Sequence, residues 1–189
     1  MLRLLRLSLF LSFLFTACEN RMERKQSSQE AAAVVENPSS NLSHEGTAIL
    51  VNLLEDYYDL KNALVASDAY KAGEAARTLQ SSAERMQQFI QDSTQLLYKY
   101  TQNIHTQAGH IATAKKDAEW QRLPFRPLSD AVYALIKTTH LTNLRIYRQY
   151  CPMAFHNKGA HWLSEEEKIS NPYFGDKMLT CGETTETLN

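Results

Sequence analysis

Six side chains with sulfur or imidazole donors crowd residues 151–181: Cys151, Met153, His156, His161, Met178 and Cys181. Cys151-x-Met153 and Met178-x-x-Cys181 stand in mirror order around a run of turn residues and aromatics. Thiolate and thioether sulfurs favour Cu(I) and other soft ions, and exchanging thioethers for imidazoles would also suit Zn(II). Neither a C-x-x-C nor an H-x-x-x-H spacing is present, so this is no standard zinc signature. The same cysteines could instead close a disulfide, and a Met beside aromatics is ordinarily core. Two free buried thiols are the third alternative. The residue types leave these three open, with Cys151, Met153, Met178 and Cys181 as the primary metal-ligand candidates and His156 and His161 as secondary ones.

Catalysis finds less support. Cys151 with His161 could form a thiolate–imidazole pair, but no third orienting group or oxyanion site accompanies them. Glu165-Glu166-Glu167 reads as a solvated charge run, and neither a glycine-rich phosphate loop nor a C-x-x-C-H haem attachment occurs. His105 and His110, five residues apart, do not share a helix face well. His140 falls near a helix end where a cation is favourable. These three read as surface or capping residues, and the chain as a non-enzyme without a catalytic site.

Helices must position this tail. Ile49, Leu50, Leu53, Leu54, Tyr57, Leu60 and Leu64 recur at three- and four-residue spacing, with Ser43 as cap and Glu45 at the positive end of the dipole. A second stripe of Ala72, Ala75, Ala76, Leu79, Ala83 and Met86 would let a neighbour approach closely, with Asp68 as its cap. A third runs through Leu97, Thr101, Ile104, Ala108 and Ile111. Asp92-Ser93 could separate the last two, or one long helix could continue through them, since Ile90 and Thr94 keep the phase. Pro124 and Pro127 interrupt the pattern, and a fourth helix follows with Leu128, Val132, Leu135, Ile136 and Thr139 inward. Asp117 to Leu123 form either its first turns or a separate short helix. From Leu144 to Tyr150 the period changes to the alternation of a strand. The expected fold is mainly α: a four-helix up-down bundle with an irregular C-terminal cap from about residue 143. That cap holds a short strand or hairpin and packs through Phe155, Trp162, Tyr173 and Phe174.

The other end of the chain carries an address. Arg3 and Arg6 precede an apolar run from Leu7 to Phe15, and Phe15-Thr16-Ala17 puts small residues before Cys18. This predicts a lipoprotein-type signal peptide over 1–17, with Cys18 carrying the lipid, rather than a spanning helix. Residues 18–42, polar and poor in large apolar groups, read as a flexible tether, leaving 43–189 as a single domain. The implied location is the periplasmic side of a bacterial cell envelope, an oxidising compartment, with anchorage to a membrane. Removing the signal takes away two basic residues and no acids, so the remainder carries 18 basic against 21 acidic residues, a net charge of −3. That balance argues against a nucleic-acid partner.

Several segments together resemble a known family. They are Asp56-Tyr57-Tyr58-Asp59-Leu60-Lys61-Asn62-Ala63-Leu64, Gln121-Arg122 through Phe125 with Leu128-Ser129, and the tail motifs Cys151-Pro152-Met153-Ala154, Gly159-Ala160-x-Trp162-Leu163-Ser164, Asn171-Pro172-Tyr173-Phe174-Gly175, Met178-Leu179 and Cys181-Gly182. The chain resembles domain of unknown function family 3347 over roughly Ser43 to Gly182. Related domains accompany periplasmic adaptor subunits of heavy-metal efflux pumps. The resemblance therefore implies a metal-handling role, with copper(I) as the implied cofactor and a periplasmic efflux or metal-handling protein as the implied partner. The alternative is a non-metal structural or protein-interaction module stapled by a Cys151–Cys181 disulfide.

Overall fold

The computed structural model describes residues 37–92, 95–114 and 117–189. The signal segment, Cys18 and most of the expected tether lie outside the described residues. Helix α1 (His44–Val65) begins where the Ser43 side chain accepts a bond from the Gly46 amide, a cap that contributes ~1 kcal/mol. It ends where Ser67 turns left-handed at φ 54°. There the Ser67 and Asp68 amides bond back to Leu64 and Ala63. Asp68 then caps helix α2 (Ala69–Ile90). Gln91 at φ 59° stops α2, and helix α3 (Leu96–Thr113) follows, so a break and not a continuous helix separates the two stripes.

Helix α4 (Ala118–Thr139) contains both prolines. Asp117 caps it, so the residues up to Leu123 are its first turns. An interior proline costs a helix ~3 kcal/mol, yet this one continues. The bonds lost are those to the carbonyls of Trp120 and Leu123, residues that are 55% and 51% exposed on the outer side of the helix. Along the inner face Phe125, Leu128, Val132 and Leu135 are fully buried.

Consecutive helices pack side by side in up-down order, with the fully buried Ala72, Ala76 and Ala83 bringing α2 close to its neighbours. Helices α1 and α4 touch much less along their backbones. Large side chains fill the space between them: the Tyr57 ring stacks on Phe125 at 5.5 Å, and its hydroxyl lies 2.9 Å from Ser129 Oγ.

The C-terminal region closes that gap from the flank rather than from the end of the bundle. Strands β1 (Ile146–Cys151), β2 (Ala160–Ser164) and β3 (Glu183–Leu188) form an antiparallel sheet in the order β2-β1-β3, with Tyr147 opposite Ser164 and Ile146 opposite Leu188. Thus the tail is a three-stranded sheet, more regular than an irregular cap, and the strand expected at Leu144–Tyr150 starts two residues later. The Leu163 amide donates to the Tyr57 hydroxyl at 3.0 Å. Phe155, Trp162 and Tyr173 pack on the core as expected: the Tyr173 ring lies 5.7 Å from Phe125, 5.4 Å from Phe155 and 6.0 Å from Trp162. Phe174 is partly buried against the same cluster.

The folded body starts earlier than the expected boundary at residue 43. Ser39 bridges to Thr142, the Asn41 amide donates to Thr139 O at 2.8 Å, and Asn143 Nδ2 donates to Asn37 O at 3.0 Å. Residues 37–42 therefore belong to the domain and not to the tether. No helix among the described residues is long and apolar enough to cross a membrane.

Candidate functional site

Of the six donor side chains, the fold brings two into direct contact. Cys151 ends the central strand and is fully buried; Cys181 precedes β3 and is half-buried. Their Sγ atoms are 2.9 Å apart, both as free thiols. Strand alternation explains the burial. Gln149 and Cys151 share one face of β1, and their register partners Trp162 and Ala160 share the same face of β2. The segment after β2 covers that face: Gln149 Nε2 donates to the Glu166 and Glu167 carbonyls at 3.0 Å.

Asn171 holds Cys181 in place. Fully buried, it receives the Tyr173 amide on Oδ1 at 2.8 Å and donates Nδ2 to Cys181 O at 2.7 Å, while its own amide donates to Leu179 O at 2.8 Å. The Asn171-to-Gly175 run is thus a turn, and one side chain serves both its start and the approach to Cys181. Gly182 completes the approach at φ 148°, where a Cβ would come 2.8 Å from the Trp162 ring and 2.9 Å from Tyr150 O.

The other four candidates are spread around this pair. Met153, on the loop between β1 and β2, is 48% exposed, and its amide donates toward Cys181 Sγ. Met178 is half-buried at the end of a 3-10 turn (Gly175–Lys177). His156 is exposed in a left-handed turn formed by Phe155, His156 and Asn157 at φ 53°, 57° and 63°. Such a run costs roughly 1–2 kcal/mol per residue. Phe155 helps hold the turn, with its ring against Tyr173 and the Arg126 guanidinium 5.3 Å from its centroid. His161 pairs across the strands with Tyr150, whose ring it meets at 4.6 Å, and so lies on the sheet face opposite Cys151. The thiolate–imidazole pair considered from sequence is not formed. Burial first, and then the Arg148 charge, hold the His161 imidazole below its usual range.

Electrostatics around Cys181 disfavour its thiolate. The hydrogen bond to Cys151, then burial, push the Cys181 thiol up to about 11, against a smaller opposing effect of the Met153 amide. Geometry disfavours a bridging ion in this arrangement. At a metal–sulfur distance of ~2.3 Å, sulfurs 2.9 Å apart subtend only ~80°, against ~109° for a tetrahedron, so the pair would have to open. A disulfide instead needs the sulfurs to close by ~0.9 Å. Among the described residues, no group of three or more His, Cys, Asp or Glu side chains is placed to hold a metal ion.

Two polar connections between helices and tail were not apparent from the sequence. Lys61 is only 2% exposed yet charged; its Nζ donates to Glu165 Oε2 at 2.8 Å. Glu165 is thereby removed from the solvated run in which it was placed. Its carboxyl is pushed up by burial, but the hydrogen bonds from Lys61 and Asn62 together outweigh that and hold it below the usual range. Arg122 reaches from α4 to Pro172 O at 2.8 Å, Leu64 O at 2.9 Å and Ser67 Oγ at 2.9 Å, tying the tail turn to the end of α1. The one available signal for Lys61 was its place in the Tyr57–Leu64 stripe, four residues after Tyr57. An open apolar groove of about 290 Å³ lies elsewhere, lined by His110, Ala114, Trp120, Leu123 and Pro124 and by none of the six donors.

Residues 53–143 match the family described as protein of unknown function, DUF3347. That is the family the sequence resembles. The DUF3347 match spans most of the four helices and ends before Cys151, so it covers none of the tail motifs. Several residues within the matched span nevertheless point into the tail: Tyr57 to Leu163, Lys61 to Glu165 and Arg122 to Pro172. No curated protein and no solved structure matches the chain.

Proposed function

We propose that this chain is a lipid-anchored domain of the bacterial cell envelope, a non-catalytic interaction module whose C-terminal sheet is stapled by a Cys151–Cys181 disulfide. The observation that carries the reading is the 2.9 Å Sγ–Sγ separation at the junction of β1 and β3. Supporting it from the sequence are the basic-then-apolar leader ending at Cys18 and the even cysteine pair left in an oxidising compartment. The helices are then the surface that meets a partner protein.

A second reading keeps soft-metal handling, with Cu(I) held by Cys151, Met153, Met178 and Cys181 for efflux or sequestration. What favours it is the half-exposed Met153 beside Cys181. What weighs against it is the narrow angle that the two sulfurs offer an ion. Native mass spectrometry of the full chain, extracted from membranes in detergent without reductant or chelator, separates the two. The staple predicts a metal-free species lighter by two hydrogens and a lipid mass on Cys18. Copper in whole-number stoichiometry, lost on Cys151→Ser, would overturn the staple in favour of the metal. A non-lipidated chain in the soluble fraction would overturn the anchorage.

A further inference from the structure

The two sulfurs of the pair are not equivalent. Cys151 is fully buried at the end of the central strand, whereas Cys181 is half-buried with the Met153 amide aimed at its Sγ. We propose that Cys181 is a thiol-exchange site that accepts an incoming disulfide, and that Cys151 resolves the resulting mixed disulfide from behind. This rests on the reading that the pair closes, and adds the order and the class of co-reactant.

The co-reactant is a disulfide, R–S–S–R, of low molecular mass or on a protein. The Cys181 thiol gives up its proton, and its sulfur attacks one sulfur of the co-reactant. The S–S bond there breaks, Cys181–S–S–R forms, and R–S⁻ leaves to take up a proton. Cys151, 2.9 Å away, then loses its proton and attacks Cys181 Sγ, displacing the second R–S⁻. Two protein thiols are oxidised to one disulfide and one external disulfide is reduced to two thiols. The Met153 N–H stabilises the thiolate at the first step, where a charge-assisted bond is worth most. Cys151 cannot serve as the entry point, because no part of it meets solvent. Closing the bond fastens the end of β1 to the start of β3, the outer and largely exposed strand of the sheet.

The test uses the full chain in detergent, fully reduced and then exposed to oxidised glutathione, with adducts located by peptide mapping. Wild type is expected to lose two hydrogens and retain no glutathione. Cys151→Ser is expected to accumulate glutathione on Cys181, and Cys181→Ser to take it up on Cys151 at least tenfold more slowly. Equal rates in the two variants, or an unreactive Cys151→Ser, would overturn the order while leaving closure in wild type intact. A wild type that never closes would overturn the staple itself. Because a variant could misfold, a second measurement needs none: reduced wild type given substoichiometric maleimide should be labelled first on Cys181, and labelling first on Cys151 would overturn the proposal.

Discussion

Replacing Glu165 by Gln tests how the helices hold the tail. The substitution keeps the size of the side chain and its bond to Asn62 but leaves Lys61, 2% exposed, without its counter-charge. Removing one partner of a buried pair costs ~3–5 kcal/mol. Glu165 itself is 37% exposed, so water screens part of the interaction and ~2 kcal/mol is the figure to expect. Urea denaturation of wild type, Glu165→Gln, Lys61→Met and the double variant would measure it as a coupling energy. Lys61→Met with Glu165→Gln should recover most of the loss, because a methionine fills the lysine stem's space without a charge to desolvate. The pH dependence has a definite sign. With the folded-state carboxyl of Glu165 held low, the contribution is present above the unfolded value of ~4.3 and is lost as pH falls through the folded one. A Glu165→Gln variant within about 0.5 kcal/mol of wild type, or one whose acid profile is unchanged, would refute the assignment.

Closing the 30-residue separation between Cys151 and Cys181 should raise stability by about 3.6 kcal/mol in the chain-entropy model, read as the difference between oxidised and reduced thermal unfolding. Asn171→Ala removes bonds to Cys181 O and the Tyr173 amide; it should cost about 3 kcal/mol by denaturant titration and slow closure of the thiol pair. Alkylation of Cys181 in the reduced protein should rise close to tenfold per pH unit between 7 and 9, since its thiol is pushed up to about 11, and a rate that levels off by pH 8 would contradict that environment. Gly175→Ala should destabilise by 1 kcal/mol or more, because φ is 54° and the new Cβ would press on Arg122 Nη2 and Ser67 Oγ.

The four helices were legible because each buries a stripe of 3.6-residue period, and because Ser43 and Asp68 announce their starts. Pro124 and Pro127 were harder, since a proline reads as a break unless its lost carbonyl partner is known to lie on the outer side of the helix. Strand β1 showed in the alternation after Leu144. Strand β3 did not, because Glu183–Leu188 is mostly polar, with only Glu186 and Leu188 half-buried, and is held by pairing with β1, a contact across more than thirty residues. The cysteine pair was visible as composition, whereas its convergence depends on the β1–β3 register and on Asn171. Composition also overstated the site: His156 and His161 lie near in sequence, but a left-handed turn and the strand pleat send them away from the sulfurs. Lys61 and Arg122 stayed hidden because a charged residue inside an apolar stripe gains meaning only when its partner, here 50 or more residues away, is in place.

Trypsin cuts after Arg148, Lys158 and Lys177, which places Cys151 in peptide 149–158 and Cys181 in peptide 178–189. Digestion of the protein taken directly from cell envelopes, blocked with an alkylating agent in denaturant and never reduced, is the most direct measurement of the staple. One linked species of 149–158 with 178–189 is the expected result. Both peptides recovered separately, each alkylated on its cysteine, would contradict it.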